Sequence, residues 1–278
     1  MKTQDQHAVR TLVRARMDFQ AMRKAMSNRL GKKADGTDQN IADGRTFMTD
    51  DLENFNAIAE AAKKQEEAVE KMLRKTLKRF PVYNEFLLGV KGVGEIAAGW
   101  ILGEFDIHIA TTVSKMWQYA GLNPGMVRGK KRIEPGKHNG EKVTSEIKDQ
   151  AGKVIALIVE SNEMIRGDKA TSGFVLPYNK PLRTALVGVM ASGFIKAQSP
   201  YCLEFYYPYK ERLSQEENEV LHIGKMKQWK EVSPGHRDMA AKRYMVKMFL
   251  KDLYAAWREI EGLPVRCSYQ EQYLGHKH

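Results

Sequence analysis

The residues best suited to chemistry lie in one stretch, Leu88-Gly89-Val90-Lys91-Gly92-Val93-Gly94-Glu95-Ile96-Ala97-Ala98-Gly99-Trp100-Ile101-Leu102. An apolar residue, glycine, an apolar residue, glycine, three residues, alanine and a further apolar run follow one another here. Gly92 and Gly94 permit a tight turn with positive φ, because no Cβ obstructs it. Such a turn leaves the amides of Val93 and Gly94, at the start of the next helix, pointing outward. Unpaired N–H groups together with the helix dipole form an anion site suited to a DNA phosphate. Val90, Val93 and Ile96 would pack the hairpin, Ala97 would let the helices approach, and Lys91 would add charge at the rim. The pattern is that of a helix-hairpin-helix over Leu87–Phe105. A grip on the backbone alone predicts little sequence preference. The bland alternative is a glycine-rich turn between two buried helices.

Charge supplies the next candidates. The 278 residues hold 45 Lys and Arg against 34 Asp and Glu, a net +11. The excess gathers in residues 1–34 and in 128–148, and blocks of this kind attract polyanions. Arg128, Lys130, Lys131, Arg132 and Lys137 suggest a basic loop that could track phosphates, or a solvated loop with no ligand. Arg243, Lys247 and Lys251 recur every fourth residue and share a helix face opposite the apolar one, as a phosphate stripe or as a solvent face. Lys180 and Arg183 flank a helix start and form a fourth candidate. The readings are DNA as partner, with RNA as the other possibility.

Two long helices must come first. Val9, Leu12, Phe19, Met22, Met26 and Leu30 mark an amphipathic helix over 6–30, closed by Gly31 and the turn-rich GKKADGTDQNIADGRTF. Leu52, Phe55, Ile58, Ala62, Val69, Met72, Leu73, Leu77 and Phe80 mark a second, from near Thr49 to Pro81. The spacing predicts an antiparallel pair or coiled coil over 1–80, a seam for homo-oligomers. Residues 81–264 read as a helical domain holding the hairpin, with an irregular or small β insertion at 125–173 that includes the apolar run VIALIV. Pro181 opens a helix with Leu182, Ala185, Leu186, Val189, Gly193 and Ala197 on one face. Residues 236–261 form the last helix, with Val246, Phe249, Leu250, Leu253, Trp257 and Ile260 inward, and 265–278 form a polar tail. The fold class is mainly α.

Catalytic constellations are scarce. There is no phosphate loop, the seven histidines show no metal-binding arrangement, His236 stands alone beside Arg237 and Asp238, and no carboxylate pair is set at strand ends. No metal site and no cofactor are predicted, although cleavage of DNA would call for a divalent metal. No apolar run suits a signal peptide or a membrane span, so the expected setting is the cytoplasm, with Cys202 and Cys267 as reduced thiols.

From Leu87 to about Pro264 the chain resembles the C-terminal domain of the insertion-sequence 110 and 1111 group of transposases, the bridge-RNA-guided recombinases. The resemblance rests on GVKGVGEIAAGWILGEF, on SKMWQYAGLNP at 114–124, on YNKPLRTALVGVMASGFIKAQSPY at 178–201, and on HRDMAAKRYMVKMFLKDLYAAWREIEGLP at 236–264. It implies a DNA-recombination setting and a mobile-element origin. Family members carry an N-terminal RNase H-like domain with four acidic metal ligands. The residues ahead of Leu87 are similar instead to the coiled-coil segment that joins the two halves of such enzymes. The family's nucleophile is a serine in a Ser-Gly a few residues after Gly-Leu-x-Pro. Here GMVRGKK follows Gly121-Leu122-Asn123-Pro124, and Ser172-Gly173 takes that place only if 125–170 is an insertion. Three readings follow: a DNA-binding protein of transposase descent, an active transposase or recombinase using Ser172, and an interaction protein with a vestigial hairpin.

Overall fold

A computed structural model describes residues 4–29, 49–137, 140–222 and 225–266. The turn-rich 31–47 segment, Cys267 and nearly all of the polar tail, with its two histidines, lie outside them. The chain is mainly helical. Its elements run α1 (Gln4–Arg29), α2 (Thr49–Leu77), α3 (Pro81–Glu85), a 3-10 turn (Leu87–Gly89), α4 (Glu95–Glu104) and α5 (Val113–Tyr119). Strands β1 (Met126–Ile133), β2 (Val143–Lys148) and β3 (Val154–Arg166) follow. Then come α6 (Lys180–Arg183), a π-helical stretch (Thr184–Met190), α7 (Ala191–Lys196), a π-helical turn (Cys202–Tyr206), α8 (Tyr207–Gln215), the hairpin β4 (Glu219–His222) and β5 (Lys225–Gln228), and α9 (Pro234–Ile260).

The residues fall into two units. The first holds α1 to the 3-10 turn together with Gly94–Asp106; the second holds Val90–Val93 and everything from Ile107 onward. This differs from a boundary at 80/81. The helix pair does not stand alone, because α4 packs on it through two glycines. A Cβ on Gly99 would lie 2.5 Å from Val13 Cγ2, and one on Gly103 would lie 3.0 Å from the Arg10 Cα. Val9, Val13, Leu73, Leu77, Ala98, Ile101 and Leu102 make the core there.

Helices α1 and α2 run antiparallel, as the ion pairs Asp5–Arg79, Arg16–Glu70 and Arg23–Glu66 record in order. Away from α4 the pair is held largely by charge: Glu66 bridges Arg16 and Arg23 at 2.8 Å each. Met22, Ile58 and Met72, expected inward, are exposed; Met72 turns outward between the buried Val69 and Leu73.

In the second unit α9 supplies the central face, with Met245, Val246, Phe249, Leu250, Leu253 and Trp257 buried. Leu182, Leu186, Met190 and Phe194 bury against this core, and Phe194 meets Phe249 edge to face at 5.3 Å. The face expected for the helix after Pro181 shifts midway. The π-helical turn accommodates an extra residue, so Val189 points out and Met190 points in. Residues 125–173 carry a small β insertion with loops between its strands. The strands form an antiparallel sheet in the order β1-β3-β2, with Leu157 of β3 between Ile133 and Glu146. The β-branched run at 154–159 suits the pleated central strand.

Glu104 is the most constrained charge in the first unit. Its side chain is 1% exposed and lies 3.0 Å from Arg10 Nε and 3.2 Å from Arg14 Nη2. Taking cationic partners away from a buried carboxylate is strongly destabilising. Replacing Arg10 and Arg14 together by alanine will therefore lower stability by about 3 kcal/mol, read from urea denaturation. Glu104→Leu in the same background will recover most of that loss.

Candidate nucleic-acid interface

The hairpin has the expected bend, built differently in detail. Gly92 alone takes a positive φ, +98°, while Gly94 is extended at φ −87° and ψ 169°. The Val93 amide is not free, since it donates to the Val90 carbonyl at 3.1 Å. The unspent donors sit one step later. Gly94 is the N-cap of α4, and the amides of Gly94, Glu95 and Ile96 meet no acceptor among the described residues. Gly94 is exposed with open space where a Cβ would go, and Lys91 and Gly89 are exposed as well. Gly92 is held in the second unit, where a Cβ would lie 2.9 Å from the Phe194 Cα. The acid in the first turn, Glu95, is engaged by both the Nε and Nη2 of Arg74, which neutralises its charge beside the donors.

The segment expected as a basic loop is the edge strand β1, and most of its charge is spent. Arg128 faces Glu160 at 3.7 Å, Lys131 pairs with Glu163 at 2.6 Å while lying over the Phe174 ring, and Lys137 pairs with Glu134 at 2.7 Å. Lys130 and Arg132 are exposed with no side-chain partner among the described residues. Four arginines of the N-terminal block, Arg10, Arg14, Arg16 and Arg23, are spent likewise on Glu66, Glu70 and Glu104.

The structure joins two sequence pieces that lie far apart. The Tyr119 carbonyl accepts from the Asn179 amide at 2.8 Å, and the Asn179 side chain donates to the Tyr119 hydroxyl at 3.1 Å. The same Asn179 caps α6 by accepting from the Leu182 amide at 3.0 Å. Gly121, at φ +68°, lets the Tyr178 ring approach to where a Cβ would be 2.6 Å away, with Arg183 Cδ at 3.2 Å. Arg183 stacks over Tyr178 at 5.0 Å and donates to the Asp168 carbonyl.

Arg243 and Lys247 belong to this neighbourhood and not to a solvent stripe. Both are half-buried, and Lys247 Nζ lies 4.4 Å from the Trp117 ring centre while Trp117 Nε1 donates to the Lys247 carbonyl at 3.1 Å. Burial pushes both groups below the ordinary range for their type, and Arg183's charge lowers Arg243 further. Lys251, one turn on, lines a different hollow with Glu204, Asp252 and Tyr201. Lys180 is exposed at the start of α6. Trp117, Gly121, Tyr178 and Asp168 were not candidates from sequence; the paired motifs Gly-Leu-x-Pro and Tyr-Asn could have pointed to them.

Ser172 lies in an exposed turn before Gly173, and no base donates to or accepts from its hydroxyl among the described residues. His236 lies against the Trp229 ring at 5.6 Å. Among the described residues no three His, Cys, Asp or Glu side chains are grouped to hold a metal, Cys202 is a buried free thiol, and no helix is long and apolar enough to cross a membrane. Compared with known proteins, the chain matches no protein-family model and no curated protein.

Two glycines two residues apart thus differ in kind. Gly92→Ala will destabilise the chain by about 2 kcal/mol or more, from left-handed strain and the Phe194 backbone, whereas Gly94→Ala will leave the melting temperature almost unchanged. If a duplex lies along β1, charge reversal of Lys130 and Arg132 will weaken that binding and flatten its dependence on salt, while reversal of Lys137, already paired, will do much less.

Proposed function

We propose that the chain is a DNA-binding protein of transposase or recombinase descent that grips the phosphate backbone through its helix-hairpin-helix. The observation that carries this reading is the exposed N-cap at Gly94. A ten-residue helix, α4, presents its first amides outward there, with no side chain over them and with its one early acid neutralised by Arg74. Free amides at the positive end of a helix dipole favour an anion, and a phosphodiester fits the opening that glycine leaves. In the second unit the exposed cations Lys91, Lys130 and Arg132 are separate candidates for phosphate contact. Descent is supported by the resemblance of four sequence pieces, two of which meet at Tyr119, Gly121, Tyr178 and Asn179. Self-association through α1 and α2 is part of this reading, supported by the exposed Met17, Met22 and Ile58.

The test is fluorescence anisotropy with duplex DNA across a salt series. Wild-type affinity will fall steeply with salt and vary little with sequence. Gly94→Val, which fills the open space without changing the backbone, will weaken binding about tenfold, the worth of one lost charge-assisted hydrogen bond. An unchanged affinity in a folded Gly94→Val chain would remove the hairpin from the interface.

A further inference from the structure

The second half of α2 carries more positive charge than the first unit neutralises. From Lys71 to Asn84 the chain has no acid of its own, yet it holds Lys71, Arg74, Lys75, Lys78 and Arg79. Two acids reach this run from elsewhere, and each is taken by an arginine. Arg74 Nη2 donates to Glu95 Oε2 at 2.9 Å, and Arg79 pairs with Asp5 at 2.7 Å. Lys71, Lys75 and Lys78 are exposed with no ion pair among the described residues, as is Lys64 two turns earlier. A helix turns by ~100° per residue, so Lys64, Lys71 and Lys75 fall within about 40° of one another. Their side of α2 is opposite the buried Val69, Leu73 and Leu77. Lys78 follows in the turn that closes the helix. Helix stability does not account for this row. The dipole favours cations only in the last turn, and Lys71 and Lys75, four residues apart, repel one another.

The row lies beside the open end of α4. Arg74 falls between Lys71 and Lys75 in the chain, and its grip on Glu95 holds the first turn of α4 against this part of α2. Both elements belong to the first unit. We propose that Lys64, Lys71, Lys75 and Lys78 form a track for the phosphate backbone of duplex DNA, continuing along α2 from the α4 amides. The inference rests on the DNA-binding reading given above and extends it from one phosphate to several. Lys64 and Lys78 are ~21 Å apart along the helix, and one DNA strand offers a phosphate every ~3.4 Å of duplex axis. Each ammonium is a point charge on a flexible stem. Such a row adds affinity and salt dependence without base preference.

The test compares full-length chains by fluorescence anisotropy on one duplex across a salt series. Lys71, Lys75 and Lys78 replaced together by Gln will lower the slope of log affinity against log salt by about 2.7, roughly 0.9 per lost contact. At about 0.1 M salt the affinity will fall more than about tenfold. Arg at the same three positions will keep slope and affinity. Both triple variants will melt as wild type does, because the side chains are exposed and unpaired. In the unsubstituted chain, acetylation read by mass spectrometry will show Lys71, Lys75 and Lys78 protected by duplex while Lys225 on β5 stays reactive. The track is refuted if the Gln variant keeps the wild-type slope, if the Arg variant loses it equally, or if duplex leaves the three lysines as reactive as before. Gly94→Val separates this from the hairpin. Unchanged affinity there, with a lowered slope in the Gln variant, keeps the track and removes the hairpin; the reverse pattern keeps the hairpin and refutes the track. A wild type without salt-dependent binding refutes both.

Discussion

The second unit depends on a contact between two stretches of main chain at which no side chain fits. Gly92 holds φ +98° with its Cα against the Phe194 backbone, and a Cβ on Gly193 would lie 2.7 Å from the Gly92 carbonyl oxygen. Glycine on both sides is what lets the turn and α7 approach so closely. Phe194 in turn is fully buried against Phe249 and Tyr201, so the turn is tied to the central helix through one ring. A turn held this firmly on one side can present its other side without fraying. The open step at Gly94 follows directly after it in the chain.

Net charge is a poor guide to where a polyanion would bind, because folding redistributes it. Four arginines of the first helix are engaged by acids on α2 and α4, and Glu66 and Glu104 each take two of them. Strand β1 loses much of its charge to Glu160 and Glu163 of β3. Among the described residues, exposed cations without an ion pair remain along α2 at Lys63, Lys64, Lys71 and Lys75, just past it at Lys78, at Lys91 and Lys180, and at Lys130 and Arg132 on one face of β1. Ion pairs at the surface contribute little stability, but they cancel field, and that cancellation decides which cations a phosphate would encounter.

The glycine at 121 plays a comparable role to that at 92, with rings in place of main chain. Its left-handed conformation brings Tyr178 and Arg183 over the end of α5, and Trp117 of the same helix carries Lys247. Two close approaches, each possible only at glycine, therefore shape these two neighbourhoods. The π-helical stretch Thr184–Met190 joins Arg183 to the helix that carries Phe194. By shifting which residues face inward, it allows Arg183 at one end and Phe194 at the other to satisfy different neighbours.

Local patterning was enough for the helical class, the long N-terminal pair, the proline-opened helix after Asn179, the inward face of α9 and the bend at Gly92. Each is governed by periodicity or by one residue's backbone freedom, and both are written in short windows. The sheet at 125–173 was only partly legible, because alternation is weak on a sheet whose Ile155 and Met164 stay exposed. Which amides stay unpaired at 93–96, which arginines keep their charge, and that Trp117, Gly121, Tyr178, Arg183 and Lys247 form one neighbourhood were decided by tertiary structure alone. Those outcomes depend on partners far away in sequence: Glu163 for Lys131, Glu104 for Arg10, Trp117 for Lys247. A sequence window records that a cation is present; only the fold determines whether an acid reaches it first.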